Sequence, residues 1–251
     1  MATLHLVRHG RTVLNEQHRT QGRADSPLTP QGRQGALAVG AYLREVPFVH
    51  AYTSPQGRVL ETTDLLLAGR EDVPRTVLSG LREYDYGVYE AGPDEVMLAA
   101  LPARTHLPAV LAGRDPGAPG GVRARDYLAR TDAALARIVA DLRRWGAGDG
   151  AGPHVLVVSH GMTLTSLVVR WVGTQVLGRE PMANCSVTTL EVDPADPARP
   201  RLLAWAADPA GQGVTFPSVD LAHAFDGVVP VPVDLTHPEG LTHPQGEAGA
   251  S

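Results

Sequence analysis

The sequence predicts an α/β fold with a mostly parallel sheet, and three observations predict it. Residues 4–7 and 155–158 are apolar runs of buried-strand length, each broken by a His-Gly pair, His9-Gly10 and His160-Gly161. Between them Leu128, Leu135, Ile138, Leu142 and Trp145 recur at helical intervals, the clearest amphipathic pattern in the chain. Strand-like and helix-like stretches alternate along most of the length, and such alternation winds into parallel β-α-β units.

The 251 residues are enough for one large domain, here taken as 1–207, followed by a Pro-, Gly- and His-rich tail over 208–251. No apolar run approaches the ~20 residues of a membrane span, and the start lacks the zones of a signal peptide, so a cytoplasmic protein without membrane partners is expected. A net charge of -5 supplies no basic field for nucleic acid, although every basic residue apart from histidine is an arginine. Cys185 is the only cysteine, which excludes a disulfide framework and a cysteine metal site and leaves a buried structural thiol.

In chain order, the first strand delivers Arg8 and His9 at its C-terminal end, where open α/β sheets bind ligands. Residues 12–26 lack periodicity and read as a loop able to hold a ligand. Thr29-Pro30 supplies a cap and a first-turn proline for a helix to about Arg44. Residues 48–52 predict a second strand, and Ser54-Pro55 caps a helix through Leu67 that carries Arg58 in its first turn. A short strand over 77–81 leads to Glu83. Residues 84–124, repeatedly interrupted by proline and glycine, read as a cap-like insertion within the domain, whose Arg104, His106, Arg114 and Arg123 are candidates for the remote part of a substrate. A long helix over 125–145, the strand over 155–158 and a helix after Gly161 follow, and strands over 187–192 and 202–206 close an antiparallel hairpin at a sheet edge. His5 reads as a sheet residue. The near-repeat placing His237 and His243 in Leu-Thr-His-Pro segments lacks companion ligands for a metal, and a flexible or surface-draped tail is the expectation.

Five polar groups, Arg8, His9, Arg58, Glu83 and His160, all fall at element ends. Two guanidiniums match the oxygens of a phosphate dianion, and a helix N-terminus adds N–H groups. A neutral imidazole in that field is a competent nucleophile, so His9 would become phosphohistidine. Glu83 would protonate the leaving alkoxide and then take a proton from water. His160 would stabilise the transferring phosphoryl group.

The motifs Arg8-His9-Gly10-x-Thr12, Asn15, Gln21-Gly22, Asp25-Ser26-Pro27-Leu28-Thr29, Gly32, Ser54-Pro55 with Arg58, Thr62, Leu81-Arg82-Glu83, Gly87, Tyr89-Glu90, Val157-Val158-Ser159-His160-Gly161 and Asn184-Cys185-Ser186-Val187 run in order over residues 4–192. In this the chain resembles the histidine phosphatase superfamily, or phosphoglycerate mutase-like family. The resemblance implies a three-layer α/β/α sandwich, a phosphohistidine on His9, a phosphate pocket of Arg8, Arg58 and His160 with support from Asn15, Gln21, Gly22 and Gly161, Glu83 as acid-base group, and no metal or other cofactor. It implies a small phosphorylated substrate and, members often being dimers, a homodimer. Arg11 stands where Glu or Gln is frequent, lining the entrance or facing solvent, and Ala91 where glycine often follows the Tyr-Glu pair. The Glu-Arg-His-Tyr-Gly run of the glycolytic mutases is not present after Glu83, so a phosphomonoesterase is expected over a phosphomutase. A non-catalytic phosphate-binding module is the alternative of another class.

Overall fold

The computed structural model describes residues 1–145, 152–178, 180–214, 221 and 223–239. Six strands form one sheet: β1 (Ala2–Arg8), β2 (Phe48–Thr53), β3 (Arg75–Val77), β4 (His154–Ser159), β5 (Val187–Val192) and β6 (Arg201–Ala207), in the order β3-β2-β4-β1-β5-β6. The β3-β2, β2-β4 and β4-β1 pairs are parallel, and β5 and β6 add an antiparallel hairpin edge.

Seven helices fall among the described residues: α1 (Val13–Glu16), α2 (Pro30–Tyr42), α3 (Gly57–Leu66), α4 (Asp94–Ala100), α5 (Ala103–Leu111), α6 (Ala124–Trp145) and α7 (Gly161–Val172). Strand alternation divides the core into two layers. Leu4, Leu6, Val155 and Val157 pack against α6 and α7 through Leu135, Ile138, Leu164 and Val168. Val7, Leu156 and Val158 turn to the opposite face, against Ala36, Val39 and Val59 of α2 and α3. The result is the three-layer α/β/α sandwich. Because β1 sends its connection to one face and the adjacent parallel β4 sends its own to the other, a crevice opens at their C-terminal ends.

Local differences from the expected elements have identifiable causes. The 12–26 loop begins with one helical turn, because Thr12 accepts the Asn15 N–H at 3.2 Å while the Asn15 side chain accepts the Thr12 N–H at 3.3 Å. The short strand lies earlier than expected, at Arg75–Val77, and residues Ser79–Leu81 form a 3₁₀ turn. Residues 84–124 are a partly helical insertion; Pro108 is accommodated within α5. His106 is buried there against Asp115 at 3.1 Å. His5 is a buried sheet residue bonded to His154 at 3.1 Å, and Cys185 is a buried free thiol.

The described part of the tail drapes over the body: Leu221, Phe225, Val233 and Leu235 pack on the core that includes α6 and α7. His243 lies outside the described residues. No helix among them is long and apolar enough to cross a membrane.

Candidate active site

The parallel register pairs Arg8 with Ser159, which brings His9 and His160 side by side with ring centroids 5.2 Å apart. His9 is locked by its neighbours: its N–H donates to Ser159 O at 2.9 Å and its own carbonyl accepts from Asn184 Nδ2 at 3.0 Å. Gly10 is required by close approach, since a Cβ there would stand 2.7 Å from the Gly32 carbonyl oxygen. The ring Nδ1 of His9 lies 2.8 Å from Gly10 O, an acceptor, which places the proton on Nδ1 and leaves a lone pair on Nε2. Burial, then the positive charges of Arg58 and Arg8, push the His9 pKa well below the ordinary histidine value, so the ring is neutral.

Arg58 is fully committed. Its Nη1 donates to Ala24 O at 2.8 Å and Asp25 Oδ1 at 3.0 Å, its Nη2 to Gly22 O at 2.9 Å and His160 Nδ1 at 3.0 Å, and its Nε to His9 Nε2 at 3.3 Å. The helix bearing it starts at Gly57 rather than after Ser54, because the Asp25 carboxylate takes the Gly57 and Arg58 N–H groups. Ser54 is thereby available to pair its Oγ with His160 Nε2 at 2.9 Å. His160 is completely buried, and burial followed by the Arg58 charge also holds its pKa well below normal.

Glu83 faces the N-terminus of α7. Its Oε1 accepts from Tyr84 N, Thr163 N and Thr163 Oγ1 at 2.9, 3.0 and 2.9 Å, whereas Oε2 accepts only from Met162 N, at 2.9 Å. Arg8 donates from Nη1 to Met182 O at 2.6 Å, but its buried Nε has no partner. An orphaned guanidinium N–H is costly unless a ligand satisfies it.

Beside these groups opens a cavity of about 260 Å³ whose lining includes Arg8, His9, Asn15, Gln21, Glu83 and Gly161. Arg58, His160 and Gly22 are not on its surface; they stand in the layer beneath. Both backbone groups of Gly22 have protein partners: its N–H donates to Glu90 Oε2 at 3.1 Å and its carbonyl accepts from Arg58 Nη2 at 2.9 Å. Of the four insertion residues expected near a substrate, none lines the cavity; Met97 and Leu107 of the insertion do. Arg11 ties Gln31 Oε1 at 2.9 Å to the Gln212 carbonyl at 2.5 Å, so its guanidinium links the start of α2 to the tail.

Sequence reasoning missed Ser54, Thr163 and Asp25 as partners of individual site groups. Glu90, quoted only within a motif, accepts the N–H groups of residues 22, 23, 24 and 86 and so shapes the loop that receives Arg58. Apart from the Tyr86 N–H to Glu90 bond, four residues apart, these contacts join distant segments and leave no local pattern. Among the described residues no group of three or more His, Cys, Asp or Glu is arranged to hold a metal ion.

Comparison with known proteins matches this architecture. A curated relative, the probable phosphoglycerate mutase GpmB of Salmonella choleraesuis (strain SC-B67), is 34% identical over 194 residues, 76% of this chain and 85% of that protein. Bacillus stearothermophilus YhfR superposes with a TM-score of 0.65 at 30% identity, covering 82% of this chain and 98% of that one. A mycobacterial glucosyl-3-phosphoglycerate phosphatase, solved with inorganic phosphate, gives a TM-score of 0.67 at 26% identity, covering 83% and 98%. The family profile of the Histidine phosphatase superfamily (branch 1) matches residues 4–207, the span that carries the paired His-Gly strand ends and all of the sheet but the first two residues of β1. The chain therefore belongs to the histidine phosphatase superfamily.

Proposed function

We propose that the protein is a metal-independent phosphomonoester hydrolase of the cytoplasm that works through a phosphohistidine on His9. The observation that carries this reading is the neutral His9 ring, with its Nε2 lone pair beside two guanidiniums, one of which has an unpartnered buried N–H. Arg8 Nε receives a phosphoryl oxygen directly. The Nε and Nη2 groups of Arg58, now on the two imidazoles, turn to the phosphoryl group as it enters, while its other contacts to Gly22, Ala24 and Asp25 keep the guanidinium in place. His160 supports the developing charge from behind, and Asn15, Gln21 and Gly161 border the phosphate end.

In the first step His9 Nε2 attacks phosphorus, the ester P–O bond breaks, and Glu83 gives a proton to the leaving alkoxide. In the second, water attacks, the P–N bond breaks with its electron pair returning to His9, and Glu83 takes the water proton. Oε2 is the oxygen for this traffic because it has one protein donor against three at Oε1. The cavity wall favours hydrolysis over phosphoglycerate transfer. Beyond the phosphate end it is formed by Met97, Leu107, Met162, Met182, Trp205 and Leu221. A carboxylate on the leaving group would also meet Asp94 and Glu180 and one arginine, Arg19, whose Nε is already given to Ala91 O at 2.6 Å.

The test is phosphate release from an aryl phosphate, with acid-quench trapping of labelled phosphate on His9. Wild type releases phosphate in the presence of a chelator and carries label, and His9→Ala does neither. Equal, metal-dependent release by both proteins overturns the reading, and exchange of phosphate between positions of phosphoglycerate faster than its release would replace it with a mutase.

A further inference from the structure

The tail beyond the family-matched residues is built into the body of the protein. Val231 N donates to Leu111 O at 2.8 Å, Arg170 holds the Val231 and Pro232 carbonyls at 2.7 and 2.9 Å, and Asp234 N donates to Asp132 Oδ2 at 3.1 Å. The strap then crosses α6, where Glu239 N donates to Ala133 O at 2.7 Å. This anchoring sets the Glu239 carboxylate against the 3₁₀ turn ahead of Glu83. It accepts Ser79 N at 2.6 Å, Ser79 Oγ at 2.7 Å and Gly80 N at 2.9 Å.

The carbonyl side of the same segment is held by one α6 guanidinium. Arg130 donates to Gly80 O at 3.0 Å, Arg82 O at 2.7 Å and Glu83 O at 2.8 Å. Residues 79–83 are thus clamped on both sides, N–H groups by a carboxylate and carbonyls by a guanidinium. The Glu83 carboxylate leaves this clamp to meet the N–H groups of Met162 and Thr163. Two residues, Leu81 and Arg82, separate Gly80 from Glu83, too few to absorb a shift of the turn without moving the carboxylate.

We propose that Glu239 is a positioning residue for Glu83: the C-terminal strap sets the turn that aims the acid-base group. This rests on the assignment of Glu83 given above, and its experiment separates the two. Amide hydrogen exchange is compared in the full-length wild type and Glu239→Ala. Loss of positioning speeds exchange not only at Ser79 and Gly80 but also at Met162 and Thr163, whose N–H groups report the seating of the Glu83 carboxylate, by about fivefold or more. Faster exchange confined to Ser79 and Gly80 overturns the proposal.

Kinetics supply the second readout. Glu239→Ala lowers kcat about tenfold for an alkyl phosphate, whose leaving group needs a proton, and less than about twofold for a dinitrophenyl phosphate, with KM unchanged for both. Equal losses on both esters, or none, overturn it. Ser79→Ala removes one of the three hydrogen bonds and guards against an unfolded Glu239 variant; it shows the same substrate bias at about two- to threefold. If the wild type hydrolyses neither ester and takes no label on His9, the proposed function fails, and the exchange at Met162 and Thr163 still decides whether Glu239 positions Glu83.

Discussion

Arg58 Nε donates to His9 Nε2 across 3.3 Å, so a buried guanidinium occupies the lone pair that the proposed chemistry requires. The Arg58 charge adds to burial in keeping the imidazole neutral, and the contact aims the ring. Under the proposed mechanism it also gives the site a resting state in which the phosphate donors of Arg58 sit on ring nitrogens.

Replacing Arg58 by methionine removes one of the positive charges that depress His9, and the ring pKa rises toward the ordinary value of about 6.5. Ring resonances followed by NMR show His9 titrating at higher pH in the variant than in the wild type. Aryl phosphate turnover falls by about a hundredfold or more, the scale of losing a preorganised donor to the transition state. A variant whose His9 titrates as in wild type would show that burial and Arg8 set its protonation without Arg58.

Acid stability carries a signature of His5. Burial, and secondarily the neighbouring His154, lower its pKa to about 4 from 6.5. A histidine depressed in the folded state binds fewer protons there than when unfolded, so its contribution is complete above pH 6.5, declines as pH falls toward about 4, and is flat below. The integrated effect is up to about 3 kcal/mol. Denaturant titrations at pH 7 and pH 4.5 show a smaller difference for His5→Gln than for wild type.

Arg170 and Asp132 form a bidentate ion pair, 2.7 Å at each contact, with the arginine side chain fully buried. Arg170→Met strands the carboxylate and frees the tail carbonyls, at a cost of about 3–5 kcal/mol. The double variant Arg170→Met with Asp132→Leu recovers a large part of that loss, as chemical denaturation checks. Additive losses would mean that the pair acts only through independent contacts.

Ala91 adopts a left-handed backbone, φ 56°, while its N–H donates to Thr20 O at 2.9 Å. This is the position where the sequence departs from a frequent family glycine. Ala91→Gly relieves a steric conflict of about 1 kcal/mol and raises the melting temperature; a lower one would mean that the entropy of the unfolded glycine outweighs the relief.

The identities of β1, β2, β4, β5, β6, α2, α3, α6 and α7 were determined by the sequence itself, because apolar periodicity and the strand-end His-Gly pairs are carried by neighbouring residues, whereas α1, the helices of the insertion and the place of β3 were not. The order of elements places Arg8, His9, Arg58, Glu83 and His160 at element ends without reference to partners. The tertiary structure decided the rest. Sheet order puts β4 between β1 and β2, and that juxtaposition sets Arg58 and His160 against the His9 ring while only His9 of the three lines the cavity. The cap expected from Ser54 was displaced by Asp25, a carboxylate from another loop, which left Ser54 for His160. Glu239 reaches Ser79 across 160 positions of sequence. Local pattern encodes which element a residue joins, whereas the partner of a buried polar group is chosen by whichever distant segment the packing brings within hydrogen-bonding distance.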